Sequence, residues 1–174
     1  MAYTTQPRAA NVARYLGFHS APILEGEEKA SQSYKAGAFL IDDDSGLITE
    51  STSPIDATAV AKRTFGLALS NATGTTSAKA RFIWLTQNVV LEITLSDNTA
   101  GAHTLAATDK WKVYAPTKGT ANWALDANAA IDTGGAVVIG FKLPFTTGTT
   151  TEARVFAILT STVRGGANAS SGVF

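Results

Sequence analysis

The fold is decided by the stretch Phe65-Gly-Leu-Ala-Leu-Ser-Asn-Ala-Thr-Gly-Thr-Thr-Ser-Ala-Lys-Ala-Arg-Phe-Ile-Trp-Leu-Thr86, which has the pattern of strand, turn and strand. It aligns without a gap, at an offset of 74, with Ile139-Gly-Phe-Lys-Leu-Pro-Phe-Thr-Thr-Gly-Thr-Thr-Thr-Glu-Ala-Arg-Val-Phe-Ala-Ile-Leu-Thr160. Both stretches contain the turn sequence Thr-Gly-Thr-Thr, in which Gly74 and Gly148 would supply a positive φ without steric cost. Self-similarity of this kind indicates an internal duplication. Chance resemblance between Thr-rich hairpins is the alternative.

A second matched pair lies upstream of each copy, at Gly37–Glu50 and Trp111–Asp126. Each again has the pattern of a strand, a glycine-containing turn and a strand. Segments rich in Val, Ile, Phe, Trp and Thr fit a pleated, half-buried surface and predict further strands. The predicted strands are 38–41, 47–49, 63–69, 80–86, 89–95, 111–115, 122–125, 136–143 and 153–160.

These patterns predict a mostly all-β fold with an internally duplicated body that resembles a barrel or sandwich. The body is expected at 36–163, with repeat units of about 36–88 and 109–162. At most one or two short helices are expected. One is predicted around Pro54–Ala61, with Ser53 as its N-cap.

The first 35 residues lack sustained helical or strand periodicity and are predicted to form an extended N-terminal arm. A disordered tail is the alternative. This segment contains large apolar side chains close together in the sequence, which favours an arm that packs against a protein surface over a solvated tail. They are Tyr15, Leu16, Phe18, Ile23 and Leu24. Residues 164–174 are predicted to be a flexible C-terminal tail.

Composition limits the classes of function. The 174 residues are 45% hydrophobic and 16% charged, which is typical of a folded domain. The 14 basic and 14 acidic residues balance, and no basic cluster exceeds Lys62-Arg63, so no nucleic-acid partner is expected. No apolar run is long enough to span a bilayer and no secretory signal is recognised, so synthesis in a cytoplasm is expected. Zero net charge favours self-association, and the absence of Cys excludes disulfides and thiol chemistry.

Candidate chemical groups are sparse. The cluster Asp42-Asp43-Asp44-Ser45-Gly46 lacks the ligand spacing of an EF-hand, so a solvated turn is favoured over a weak cation site. His19 and His103 are the two histidines, and neither is matched to a carboxylate and a strained serine as a nucleophilic triad requires. No phosphate-binding glycine loop is present. We therefore expect no catalytic residues, no metal and no cofactor.

The three tryptophans lie in predicted strands at Trp84, Trp111 and Trp123. Packing in the core or on a sheet face is the favoured interpretation. An exposed row that stacks on sugars is the alternative.

Several segments resemble the capsid decoration (cement) proteins of tailed bacteriophages. The residues that carry the resemblance are Lys35-Ala-Gly-Ala-Phe-Leu-Ile-Asp-Asp-Asp-Ser-Gly-Leu-Ile48, Thr64-Phe-Gly-Leu-Ala-Leu-Ser-Asn-Ala-Thr73, Leu105–Tyr114, Asn122–Asp126, Val138–Phe141 and Ala153–Phe156. The likeness covers most of 35–162, through strand order and turn residues, and does not include the first 34 residues.

The resemblance implies a non-enzymatic virion protein on the outer capsid surface, where it binds the major capsid protein and bridges neighbouring coat subunits. It also implies self-association, with a trimer favoured and a dimer possible because the chain is duplicated. The coat-protein contact is then expected at Tyr15, Leu16, Phe18, Ile23 and Leu24 on a separable arm. A carbohydrate- or receptor-binding β module of a head fibre or tail tip is the alternative function, and a hydrolase lacks its residues.

Overall fold

The computed structural model describes residues 9–16, 20–43, 45–51, 53, 55, 66–86, 88–97, 103–119, 122–130, 135–142 and 153–160. Its regular structure in these ranges is strands and one 3-10 turn, so the all-β prediction is confirmed. The elements are β1 (Asn11–Tyr15), β2 (Ile23–Glu28), β3 (Phe39–Asp42), β4 (Leu47–Glu50), β5 (Gly66–Ala68), β6 (Lys79–Trp84), β7 (Val89–Ser96), the 3-10 turn (Ala107–Asp109), β8 (Val113–Lys118), β9 (Trp123–Ala130), β10 (Ala136–Phe141) and β11 (Arg154–Leu159).

Strands β2 to β6 form a closed barrel in the order β2-β4-β3-β5-β6. The pairing of β2 with β4 is parallel, whereas every other pairing in this barrel is antiparallel. We call these five strands the first unit. The ring leaves no open edge within the unit, and closure of this kind removes the edge strands that promote aggregation.

Strands β7 to β11 form the second unit, and they are connected in the same way. They pair in the order β7-β9-β8-β10-β11, and β7 also pairs with β11. The pairing of β7 with β9 is parallel and the others are antiparallel. The second unit thus repeats the strand order and strand directions of the first, beginning at β7. Strand β1 is added to it through an antiparallel pairing with β7.

The two repeated hairpins differ in register. In the first unit Gly66 is paired with Trp84, whereas in the second the matching Gly140 is paired with Phe156. The offset of 74 would pair Gly140 with Ile158, so the pairing has slipped by two residues at Gly140. A register shift between Val138 and Gly140 makes the slip three residues at Val138. Gly74 has φ +75°, as expected for its turn, and Gly148 lies outside the described residues.

One hydrophobic core joins the two units. Its buried residues come from both and form a single cluster. At the boundary, Phe39 of β3 and Trp123 of β9 pack edge to face with ring centroids 5.3 Å apart. The indole Nε1 of Trp123 also donates a hydrogen bond to Glu50 Oε1 (2.9 Å), and Lys118 forms an ion pair with the same carboxylate. The units are therefore held by apolar packing and by a shared polar contact.

The N-terminal segment lies within the sheets, which differs from the expected arm outside the body. Strand β2 closes the first barrel, β1 pairs with β7, and Ala10 is buried. The strand pattern of β2 is hard to recognise because its exposed face is charged beyond Ile23 and its inward face ends on the buried Glu28. The predicted helix at 54–61 and tail at 164–174 lie outside the described residues, apart from Ile55.

Candidate contact surface

An exposed apolar patch lies where the chain crosses between the two units. The described ends of the connection from β1 to β2, at Leu16 and at 20–22, lie beside described residues at the end of β6 and between β6 and β7. Leu16 N–H donates to Asn88 O (2.7 Å) at one end, and Trp84 N–H donates to Pro22 O (3.0 Å) at the other. The two connections are thus held together by backbone hydrogen bonds. We call Leu16, Pro22, Ile23 and Trp84 the crossover patch.

The crossover patch contains three of the five large hydrophobic side chains that are exposed among the described residues. Leu16 is 43% exposed, Ile23 is 53% exposed and Trp84 is 40% exposed. The exposed face of β2 becomes charged beyond the patch, because Glu25 and Glu27 form ion pairs with the lysine and arginine of β6. Ile23 is paired with Ile83, so Trp84 projects from the opposite face of this strand pair, and the exposed apolar groups lie around its end. Exposed apolar groups bordered by polar ones are typical of a protein contact surface.

The five residues predicted to contact a partner have different environments. Leu16 and Ile23 are exposed and belong to the crossover patch. Tyr15 and Leu24 are partly buried and pack against the core, which accounts for their apolar character without a partner. Phe18 lies outside the described residues. Trp84 was expected to pack in the core or on a sheet face. Alternation along β6 places it on the same side as the buried Ala80 and Phe82, so the local pattern does not predict its exposure.

His103 lies between two carboxylates, which corrects the expectation that no carboxylate accompanies it. Its Nδ1 is 3.0 Å from Asp97 Oδ1 and its Nε2 is 3.0 Å from Asp109 Oδ2. Both contacts are hydrogen bonds only when both ring nitrogens carry protons, because ionised carboxylates only accept. The signal was present in the sequence: both aspartates lie six residues from His103.

Asp109 is the buried centre of this network. It is 4% exposed and accepts hydrogen bonds from Ala106 N–H (2.8 Å) and Tyr114 Oη (2.8 Å). Burial raises the pKa of Asp109, but these donors and His103 outweigh burial, so its pKa lies below the ordinary value. Burial, together with Asp109, raises the pKa of Tyr114. The hydrogen bond from Tyr114 to Asp109 ties the 3-10 turn to β8.

Glu28 forms a second buried anion site, in the first unit. It is 1% exposed. Its carboxylate accepts hydrogen bonds from Gly74 N–H (2.6 Å), Thr73 N–H (3.1 Å), Thr73 Oγ1 (3.2 Å) and Tyr34 Oη (3.1 Å). The Thr-Gly turn of the first repeat is therefore fixed to β2 by a carboxylate.

The described residues of the acidic segment (Asp42, Asp43, Ser45 and Gly46) are joined by local hydrogen bonds. Asp43 Oδ1 accepts hydrogen bonds from Ser45 N–H (2.9 Å) and Leu47 N–H (3.2 Å), and its Oδ2 lies 3.0 Å from Lys29 Nζ. These contacts and the lysine ion pair lower the pKa of Asp43. Among the described residues, no three His, Asp or Glu side chains are grouped so that they could hold a metal ion.

Comparison with known proteins gives no relative: no family model, curated protein or solved structure matches the chain. None of the described segments forms a helix of the length and apolarity that crossing a membrane requires.

Proposed function

We propose that this chain is a non-enzymatic virion structural protein that binds the outer surface of a phage capsid. It stabilises the shell by bridging neighbouring coat subunits, and the major capsid protein is its partner. The observation that carries the proposal is the crossover patch, an exposed apolar surface on a rigid, duplicated β body. The resemblance of residues 35–162 to capsid decoration proteins supports the class of partner.

The position of the patch favours binding. Leu16 and Ile23 are held on paired backbone, so little conformational entropy is lost when a partner covers them. Burying apolar surface contributes roughly 25 cal/mol per Å². Each contact is modest, but many copies act on one shell, so the total effect is large.

Self-association is part of this proposal, with a trimer favoured over a dimer. The formal net charge is zero, so copies do not repel one another at long range. Sedimentation equilibrium of the purified chain measures the state directly. A monomer at all concentrations would remove this part and leave the capsid contact in place.

The capsid contact is tested on particles of the phage that carries this gene. We expect the protein to co-purify with them in a fixed ratio to coat subunits, and stripped shells to rupture more readily on heating. The double variant Ile23→Ser, Trp84→Ser should bind stripped shells on the order of 30-fold more weakly, since central apolar anchors contribute most of an interface's energy. Leu69→Ser is the matched control, because Leu69 is 40% exposed outside the patch. Equal binding by both variants would contradict the assignment.

A carbohydrate-binding module of a head fibre or tail tip is the second candidate. It is favoured by the exposure of Trp84 (40%) and Trp111 (67%), since exposed indoles stack on sugar rings. Glycan-array binding with sugar-dependent quenching of tryptophan fluorescence would select it. Absence of both, together with stoichiometric binding to shells, selects the capsid protein.

A further inference from the structure

Trp111 is an exposed indole in a conformation that tryptophan rarely adopts. It is 67% exposed and has φ +71°, in the left-handed region that favours glycine. Its backbone is fixed there, because Trp111 N–H donates to Val138 O (2.7 Å) and Val138 N–H donates to Lys112 O (3.0 Å). Lys110 Nζ lies 5.1 Å from the ring centroid, within cation–π range. We call Lys110, Trp111 and Lys112 the Trp111 corner.

The duplication provides an internal comparison for this corner. The matching residues of the first unit are Ala36, Gly37 and Ala38. Gly37 has φ +84° and makes the same backbone contacts, donating to Ala68 O (2.8 Å) while Ala68 N–H donates to Ala38 O (2.9 Å). The backbone therefore requires a positive φ at this position in both units. The first unit meets the requirement with glycine, and the second places tryptophan there.

The surroundings of the two corners also differ. A Cβ on Gly37 would lie 2.4 Å from Ala10 O, because the chain before β1 covers the first corner. In the second unit all three residues of the corner are exposed. Folding therefore does not account for the tryptophan: it is strained by its φ and buries little of its ring. Strain retained at an exposed residue indicates a function.

We propose that the Trp111 corner is a second binding site, whose ligand is a carboxylate-rich protein surface. Tryptophan inserts into a partner's apolar pocket, and the two lysines pair with carboxylates around that pocket. The inference rests on the proposed function in taking the coat protein as the natural partner. One chain then has two chemically different contacts, an apolar one at the crossover and a basic, aromatic one on the second unit, as bridging requires.

Other ligand classes fit this corner less well. A nucleic-acid groove needs an extended basic surface, whereas basic and acidic residues balance at 14 each in this chain. A sugar site needs polar acceptors beside the indole. Here the neighbouring carboxylate, Asp109, is 4% exposed and already accepts three hydrogen bonds.

The first experiment separates a binding role from a packing role. The variant Lys110→Ala, Trp111→Gly, Lys112→Ala gives the Trp111 corner the Ala-Gly-Ala sequence of the matching corner in the first unit. Its urea midpoint should equal or exceed that of the unaltered chain, because glycine relieves the positive φ. A lower midpoint would show that Trp111 stabilises the fold, and the inference would be overturned.

The second experiment measures binding to stripped phage particles at several salt concentrations. We expect the triple variant to bind on the order of 30-fold more weakly and with a weaker salt dependence. Lys35→Gln, which changes an exposed lysine near the corner of the first unit, is the control and should bind normally. If the triple variant binds as tightly as the unaltered chain, the inference is wrong while the proposed function stands.

A third measurement does not depend on the particles. In a Trp84→Phe background the emission that responds to solvent comes from Trp111, since Trp123 is 1% exposed. Titration with poly-L-glutamate should shift this emission, and added salt should reverse the shift. If the chain fails to bind particles, the proposed function is wrong, and this titration alone then tests whether the Trp111 corner is a binding site. No response, or a response only to oligo-dT or a malto-oligosaccharide, overturns the assignment.

Discussion

Replacing Glu28 tests whether a buried carboxylate holds the first repeat in place. In Glu28→Ala, the N–H groups of Thr73 and Gly74 and the hydroxyl of Tyr34 lose their acceptor. Each unsatisfied buried donor costs about 1–3 kcal/mol. Thr73 is exposed and Gly74 is partly exposed, so water satisfies part of this loss. We therefore expect the free energy of unfolding to fall by about 3–5 kcal/mol, a large part of the stability of a domain of this size.

Two further variants assign the loss to the carboxylate. Glu28→Gln keeps one oxygen acceptor for Gly74 N–H and can donate from its amide to Tyr34 Oη. Charge assistance and the acceptor of the Tyr34 O–H are lost, at about 1–2 kcal/mol. Tyr34→Phe removes one donor and should cost about 1 kcal/mol. Since both residues share one hydrogen bond of 3.1 Å, the double variant should be less destabilised than the sum of the two.

Urea denaturation followed by circular dichroism gives these free energies. We expect Glu28→Ala to lower the free energy of unfolding most, Glu28→Gln less and Tyr34→Phe least. If Glu28→Ala unfolds within about 1 kcal/mol of the unaltered chain, the carboxylate does not hold the turn and the reasoning fails.

Three other perturbations have definite outcomes. Because the pKa of Asp109 lies below its ordinary value of 3.8, its contribution to stability is complete above about pH 5 and is lost as pH falls through the lowered pKa. Acid titration of the unfolding midpoint should therefore be shallower for Asp109→Asn, and an unchanged slope would count against the network. Gly74→Ala forces a side chain into φ +75° and should cost roughly 1–2 kcal/mol in urea denaturation. Deleting residues 1–24 removes β1 and the start of β2 and should lower the midpoint of thermal unfolding. An unchanged midpoint would show that this segment is an arm separable from the β body.

The sequence predicted the fold class and the repeated hairpins because these depend on local patterns. Alternating apolar residues and the Gly-Thr-Thr turn identify strand, turn and strand without knowledge of the partners. The order of pairing, in which β2 and β7 open the two units, could not be predicted. The outer face of β2 is charged beyond Ile23, whereas in its match β7 apolar residues alternate with Glu92, Thr94 and Ser96, so no sequence similarity connects them.

The candidate surfaces were predicted only in part. Leu16 and Ile23 were predicted to contact a partner, and both side chains are exposed. Trp84 and Trp111 were expected to pack in the core or on a sheet face, but both are exposed. The exposure of Trp84 depends on where β6 ends, and that of Trp111 depends on its positive φ. Neither feature is visible in a local sequence pattern. The contact of His103 with Asp97 and Asp109 depends on the loop that brings both ends of a 13-residue segment together.

The connection order of the two units has a consequence for synthesis on the ribosome. The first barrel uses strands between Ile23 and Trp84 only, so it can close as soon as that segment has emerged. Strand β1 is made earlier but pairs with Val89 to Glu92, so the first strand of the chain must wait for the second unit. Nascent chains stopped when Trp84 has left the ribosome tunnel, but β7 has not, should contain a protease-resistant first barrel, with β1 still accessible to cleavage.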